Sequence, residues 1–161
     1  MDHDKAVRKH LLWLLHGGEA HMTFDEMVKN FPLKHINTDP PNSSYTPWRL
    51  LEHIRISQWD ILEFIKNPDY VYLKWPEDYW PDSKKKATES DWKKTVRNFK
   101  RDLEELSEII KNPVTDLHKP LAHGEGQTIF REILLVADHN AYHIGEFAIL
   151  REVMATWPNN R

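Results

Sequence analysis

From Thr128 to Met154 apolar residues recur at three- and four-residue intervals: Ile129, Ile133, Leu134, Val136, Ala137, Ala141, Ile144, Phe147, Ala148 and Leu150. A pattern that holds for roughly seven turns is far too long for a strand, so the chain is built around helices. The rest of the sequence agrees. Asp4 to His16 reads as a first helix, with Ala6, Val7, His10, Leu11, Leu14 and Leu15 along one side and Gly17-Gly18 as its stop. Thr23-Phe24-Asp25-Glu26 has the form of a capping box and opens a short helix that ends near Phe31-Pro32. Leu33 to Tyr45, with Pro40-Pro41, reads as loop.

Thr46-Pro47 starts a second long helix, because threonine caps and proline in the first turn forfeits no hydrogen bond. It carries Leu50, Leu51, Ile54, Trp59, Ile61, Leu62 and Ile65 and runs to about Lys66, where Asn67-Pro68 closes it. A third begins between Thr88 and Asp91, carries Trp92, Val96, Phe99, Leu103, Leu106, Ile109 and Ile110, and stops at Asn112-Pro113. A loop from Val114 to Gln127 leads into the last helix. The expected fold is all-α, a four-helix bundle with one additional short helix and long inter-helix loops, filling residues 1–161 as a single domain. The connections are long enough to cross the bundle, so the order of the helices stays open.

Composition narrows the function. A formal charge of −3 leaves no electrostatic footprint for nucleic acid, and Lys84-Lys85-Lys86 is expected to be a solvated loop. No apolar run is long enough to cross a bilayer, and the N-terminus reads Asp2-His3-Asp4 where a signal sequence would need apolar residues, so a cytoplasmic location is expected. Without cysteine there can be no disulfide, no thiolate zinc site and no cysteine nucleophile.

Within the last helix His139 and His143 stand four residues apart, about 40° around the axis and about 6 Å along it, so both rings can reach one metal ion. Glu132, Val136, Glu146 and Leu150 fall on the same side of the wheel, which places the pair beside the apolar stripe. A buried imidazole needs a partner for each nitrogen, and a metal with a carboxylate or carbonyl behind it satisfies both. The alternative reading is two core histidines bonded to Glu132, Glu146 or a backbone group. Asn140 stands where a zinc peptidase of the His-Glu-x-x-His kind has its general base, which disfavours that chemistry. A catalytic metal commonly keeps three protein ligands and one open position. The third ligand is expected to be His53, set among apolar residues in the second long helix, whereas His3, His10, His16, His21, His35, His118 and His123 lie near ends, caps or loops.

The chain resembles the DinB/YfiT-like metalloenzyme family over nearly its whole length: a first helix with Gly-Gly and a short capped helix after it, a histidine in the next long helix, and His-x-x-x-His-x-Gly in the last. The resemblance implies a divalent metal, zinc or nickel, held by His53, His139 and His143. It also implies a thiol S-transferase, using a low-molecular-weight thiol such as bacillithiol or mycothiol as cosubstrate, or a hydrolase, either acting on a small-molecule substrate. Relatives are often homodimers. Many members have glutamine where this chain has Glu146, which suits a tautomer-fixing acceptor, a base for water, or an ordinary exposed glutamate. Asp60, seven residues after His53, and Glu132 are the other carboxylates expected behind the ligands. Gly145 weakens its helix and is expected to mark the close approach of a neighbour. Trp48, Trp75, Tyr79 and Trp80 either wall a pocket or cover a bundle end, the second being favoured, and Tyr142 is expected to pack or hydrogen-bond. The competing class is a bundle that keeps its metal for stability or dimer formation and catalyses nothing.

Overall fold

The computed structural model describes residues 3–158. Five helices account for the fold: α1 (His3–His16), α2 (Phe24–Val28), α3 (Pro47–Lys66), α4 (Glu89–Lys111) and α5 (Ile129–Val153), with single 3-10 turns at Leu33–His35 and Glu77–Tyr79. Among the described residues there is no strand, and the chain is an all-α bundle. No helix among them is long and apolar enough to cross a membrane.

Local chemistry sets the helix ends. Thr23, Thr46, Thr88 and Thr128 each accept a bond from the amide three residues on, satisfying one of the donors a helix start leaves open. Thr23 with Glu26 and Thr88 with Asp91 complete reciprocal boxes. Asn67 and Asn112 leave their helices in extended conformation, as the prolines after them require. The short helix stops at Val28, sooner than Phe31, because Lys29 leaves helical geometry with ψ 127° and Asn30 takes a left-handed φ of 54°.

Helix α3 lies between α4 and α5, and α1 closes the opposite side against the same two. Leu50, Leu51, Ile54 and Leu62 of α3 are buried with Phe99, Leu106, Ile133, Val136 and Phe147. Helix α1 buries only Leu11 and Leu15; Leu14 and His10 face solvent, so its apolar stripe is narrower than the spacing suggested. Arg151 of α5 is fully buried, its guanidinium donating to the carbonyls of Met27 (2.7 Å), Lys29 (3.0 Å) and Thr156 (2.9 Å). It thereby satisfies two carbonyls at the end of α2 and one just after α5.

Helices α3 and α5 run antiparallel. His53 meets His139 and His143, while Asp60, two turns further along α3, lines one shallow cavity with Glu132, two turns earlier on α5. The aromatic segment between α3 and α4 folds back on α3: the Tyr70 and Tyr79 hydroxyls both donate to Asp60, and the Phe64 ring meets Tyr70 edge-on.

Candidate metal centre

The two helices bring together three imidazoles that are 90 residues apart in sequence at the extreme. His53 is buried, and His139 and His143 are half-buried. The Nε2 of His53 lies 3.3 Å from the Nε2 of His143 and 3.3 Å from that of His139. The ring planes stand at 61° to 88° to one another, and one nitrogen from each of the three rings falls within a span of 4.8 Å. For a tetrahedral ion with bonds of about 2.0–2.1 Å to imidazole nitrogen, neighbouring ligand atoms are about 3.3–3.4 Å apart. The trio therefore has the donors and the spacing to hold a metal ion.

The far side of each ring sharpens the argument. His53 Nδ1 is 2.9 Å from the carbonyl oxygen of Tyr79, which can only accept, so this nitrogen carries the proton and Nε2 presents a lone pair. His143 Nδ1 donates to Glu146 Oε2 at 2.7 Å, with the same result. Two lone pairs thus face each other at 3.3 Å, an arrangement that a shared cation resolves. Burial keeps the rings in this neutral form. It lowers His53 against the opposing pull of the Tyr79 carbonyl. It takes His139 down to about 4 with help from His53, and His143 to about 3 with help from both other rings. Neutral imidazole is the form that binds metal. His139 differs in one respect: its buried Nδ1 makes no well-formed hydrogen bond among the described residues, and the Asn140 side chain beside it pulls the ring's pKa upward by less than burial pushes it down.

Comparison with family models, with curated proteins and with solved structures returns no match to this chain.

Of the carboxylates singled out in the sequence, only Glu146 touches one of the three histidines among the described residues. Its own acidity is weakened by burial. Asp60 reaches no histidine, since both of its oxygens are taken by Tyr70 (2.5 Å) and Tyr79 (2.6 Å). Glu132 is buried but accepts from Arg131 at 2.7 Å, and it too reaches no histidine. Helical spacing placed both on the correct side, yet two turns are about 10 Å along the axis, beyond the reach of a carboxylate. Gly145 meets no close neighbour among the described residues: a Cβ built there finds nothing within 4 Å. Tyr142 neither packs in the core nor fills a polar gap; it is 68% exposed and stands edge-on to His143 with centroids 4.8 Å apart.

The aromatic loop does more than cover an end. The Trp80 indole lies flat on His53, centroids 3.9 Å apart and planes 4° from parallel, with Tyr45 stacked on its ring in turn. Trp75 approaches His53 at 6.4 Å and is largely exposed. Trp48 belongs to the core, its Nε1 donating to Thr95 at 3.3 Å. The Tyr79 carbonyl escaped the sequence reading because every residue has one. Trp80 was expected to wall a pocket or cover a bundle end, but nothing in the residue pattern marked its stacking on His53.

Proposed function

We propose that this chain is a metal-dependent enzyme of the DinB/YfiT type, a thiol S-transferase or hydrolase acting on a small molecule, with zinc or nickel held by His53, His139 and His143. The observation that carries the reading is the pair of imidazole lone pairs, on His53 and His143, held face to face at 3.3 Å by proton acceptors behind each ring. Three neutral nitrogen donors leave a tetrahedral ion one position for a guest, the arrangement of catalytic rather than structural zinc. A bound ion of this kind lowers the pKa of a thiol or water and polarises a carbonyl.

The protein's own residues supply the rest. His53 and His143 are oriented by the Tyr79 carbonyl and the Glu146 carboxylate. Of the roles open to Glu146, its bond to His143 favours the orienting one. The absence of cysteine from all 161 residues means that any thiol chemistry draws its sulfur from a cosubstrate. The exposed rings of Trp75 and Tyr142 flank the trio, where they suit an apolar substrate group.

The test is metal analysis of protein purified without chelator, followed by a conjugation panel with glutathione, bacillithiol and mycothiol and a panel of ester and amide substrates. One ion per chain, lost in His53→Ala, with turnover that disappears on chelation, is the expected outcome. An ion whose removal unfolds the chain, with no turnover on either panel, would assign it to stability instead. No bound ion at all would end the proposal.

A further inference from the structure

Asp60 is buried, carries both of its hydrogen bonds to tyrosines, and has no part in the centre as described so far. One of those tyrosines does. Tyr79 closes the 3-10 turn Glu77–Tyr79; its amide donates to the Pro76 carbonyl, while its own carbonyl, at the end of the turn, has no partner within it. That carbonyl faces His53 Nδ1 at 2.9 Å, and the same residue's hydroxyl faces Asp60 Oδ2 at 2.6 Å. Tyr79 thus spans the two turns of α3 that separate Asp60 from His53, with its backbone at one end and its phenol at the other. Burial, and then the Asp60 carboxylate, push the Tyr70 and Tyr79 phenols up, so both remain proton donors to that carboxylate. The turn is braced further by Asp78, which accepts from the Lys74 amide at 2.8 Å and returns its own amide to the Lys74 carbonyl at 2.9 Å.

We infer that Asp60 is a positioning residue for the metal centre: by anchoring the Tyr79 hydroxyl it holds the Tyr79 carbonyl behind His53, and so fixes the tautomer and aim of that ring without touching it. The inference rests on the reading of the histidine trio as a metal site. Its physical content is a division of labour between two similar bonds. Tyr70 and Tyr79 both donate to Asp60, but only Tyr79 also contacts His53. Loss of the Tyr70 hydroxyl loosens the segment. Loss of the Tyr79 hydroxyl loosens the segment and frees the carbonyl on which His53 depends.

The two isosteric variants Tyr79→Phe and Tyr70→Phe separate these effects, since each removes one oxygen and leaves the ring. Zinc affinity is measured by competition with a chromophoric chelator, and the His53 tautomer of the metal-free protein by 15N chemical shifts of its imidazole. Tyr79→Phe is expected to weaken zinc binding by about tenfold, the low end for loss of a group behind a metal ligand, and to mix the two His53 tautomers. Tyr70→Phe is expected to change affinity by about twofold or less and leave the tautomer as it was. Asp60→Asn, checked by circular dichroism for retained helix, is expected to resemble Tyr79→Phe. Equal affinity in Tyr79→Phe and wild type would overturn the inference, as would equal losses in the two tyrosine variants, which would make Asp60 a fastener of the loop and nothing more. Wild-type protein that takes up neither zinc nor nickel would instead remove the metal reading itself, while the tautomer shifts would still report whether Asp60 acts on His53.

Discussion

At the scale of single residues, the centre depends on which nitrogen of each ring carries the proton. The carbonyl of Tyr79 and the carboxylate of Glu146 make that choice for His53 and His143, and burial then resists a second proton. This has a consequence for metal-free protein. The folded chain holds His139 near 4 and His143 near 3, whereas an unfolded chain protonates both near 6.5. Between those limits the unfolded state binds more protons, so stability is complete above about pH 6.5 and is lost progressively as pH falls toward 3. Urea unfolding of chelator-treated protein at pH 7, 5.5 and 4.5 should show this decline, and the double variant His139→Gln, His143→Gln should show a shallower one. An equal slope in the two proteins would mean that the rings are not the groups responsible. The histidines themselves were legible in the sequence because two of them obey helical spacing and the third sits among apolar neighbours. The groups behind them were not, apart from Glu146, since a backbone carbonyl brought in by a loop leaves no mark on residue type.

At the scale of elements, the helices followed from local signals, and their departures have local causes. Threonine caps start α3, α4 and α5, and Asn-Pro stops end α3 and α4, within a residue or two of where the chain suggests. The stripe of α1 was harder to read, because a helix at the side of a bundle buries a width set by its neighbours and not by its own pattern. Another departure inside a helix is Gly145, which among the described residues has neither a close neighbour nor a left-handed φ to require it. Gly145→Ala should therefore stabilise the protein, by about 0.5–1 kcal/mol, because it restricts the unfolded chain and strains nothing in the folded one. Chemical denaturation measures this directly; a loss of stability would mean that some contact of α5 has been overlooked. The segment from Asp69 to Ala87 shows the opposite case. Its aromatic content announced that it packs, but the register that brings Tyr79 to Asp60 and Trp80 to His53 depends on the paired hydrogen bonds at Asp60 and the turn at Glu77–Tyr79.

At the scale of the whole molecule, the trio joins α3 to α5, two of the central elements of the bundle, so an ion bound there would cross-link segments far apart in the chain. Binding to the folded state alone stabilises it by about 2.7 kcal/mol when free metal is a hundredfold above Kd. For a chain of this length that corresponds to a rise in Tm of roughly 5–10 °C. Melting curves with zinc and with excess chelator should differ by that amount in wild type and coincide in His53→Ala. The bundle itself was legible because helix length, caps and stripes all agree. Its arrangement, with α1 opposite α3, was not, because long connections permit several orders. The flat contact between Trp80 and His53 also makes the molecule its own indicator. Were a paramagnetic ion such as nickel bound by the trio, an indole this close would be quenched, and the part of the emission of the seven tryptophans that is lost on loading in wild type but kept in Trp80→Phe would read out occupancy without any added dye.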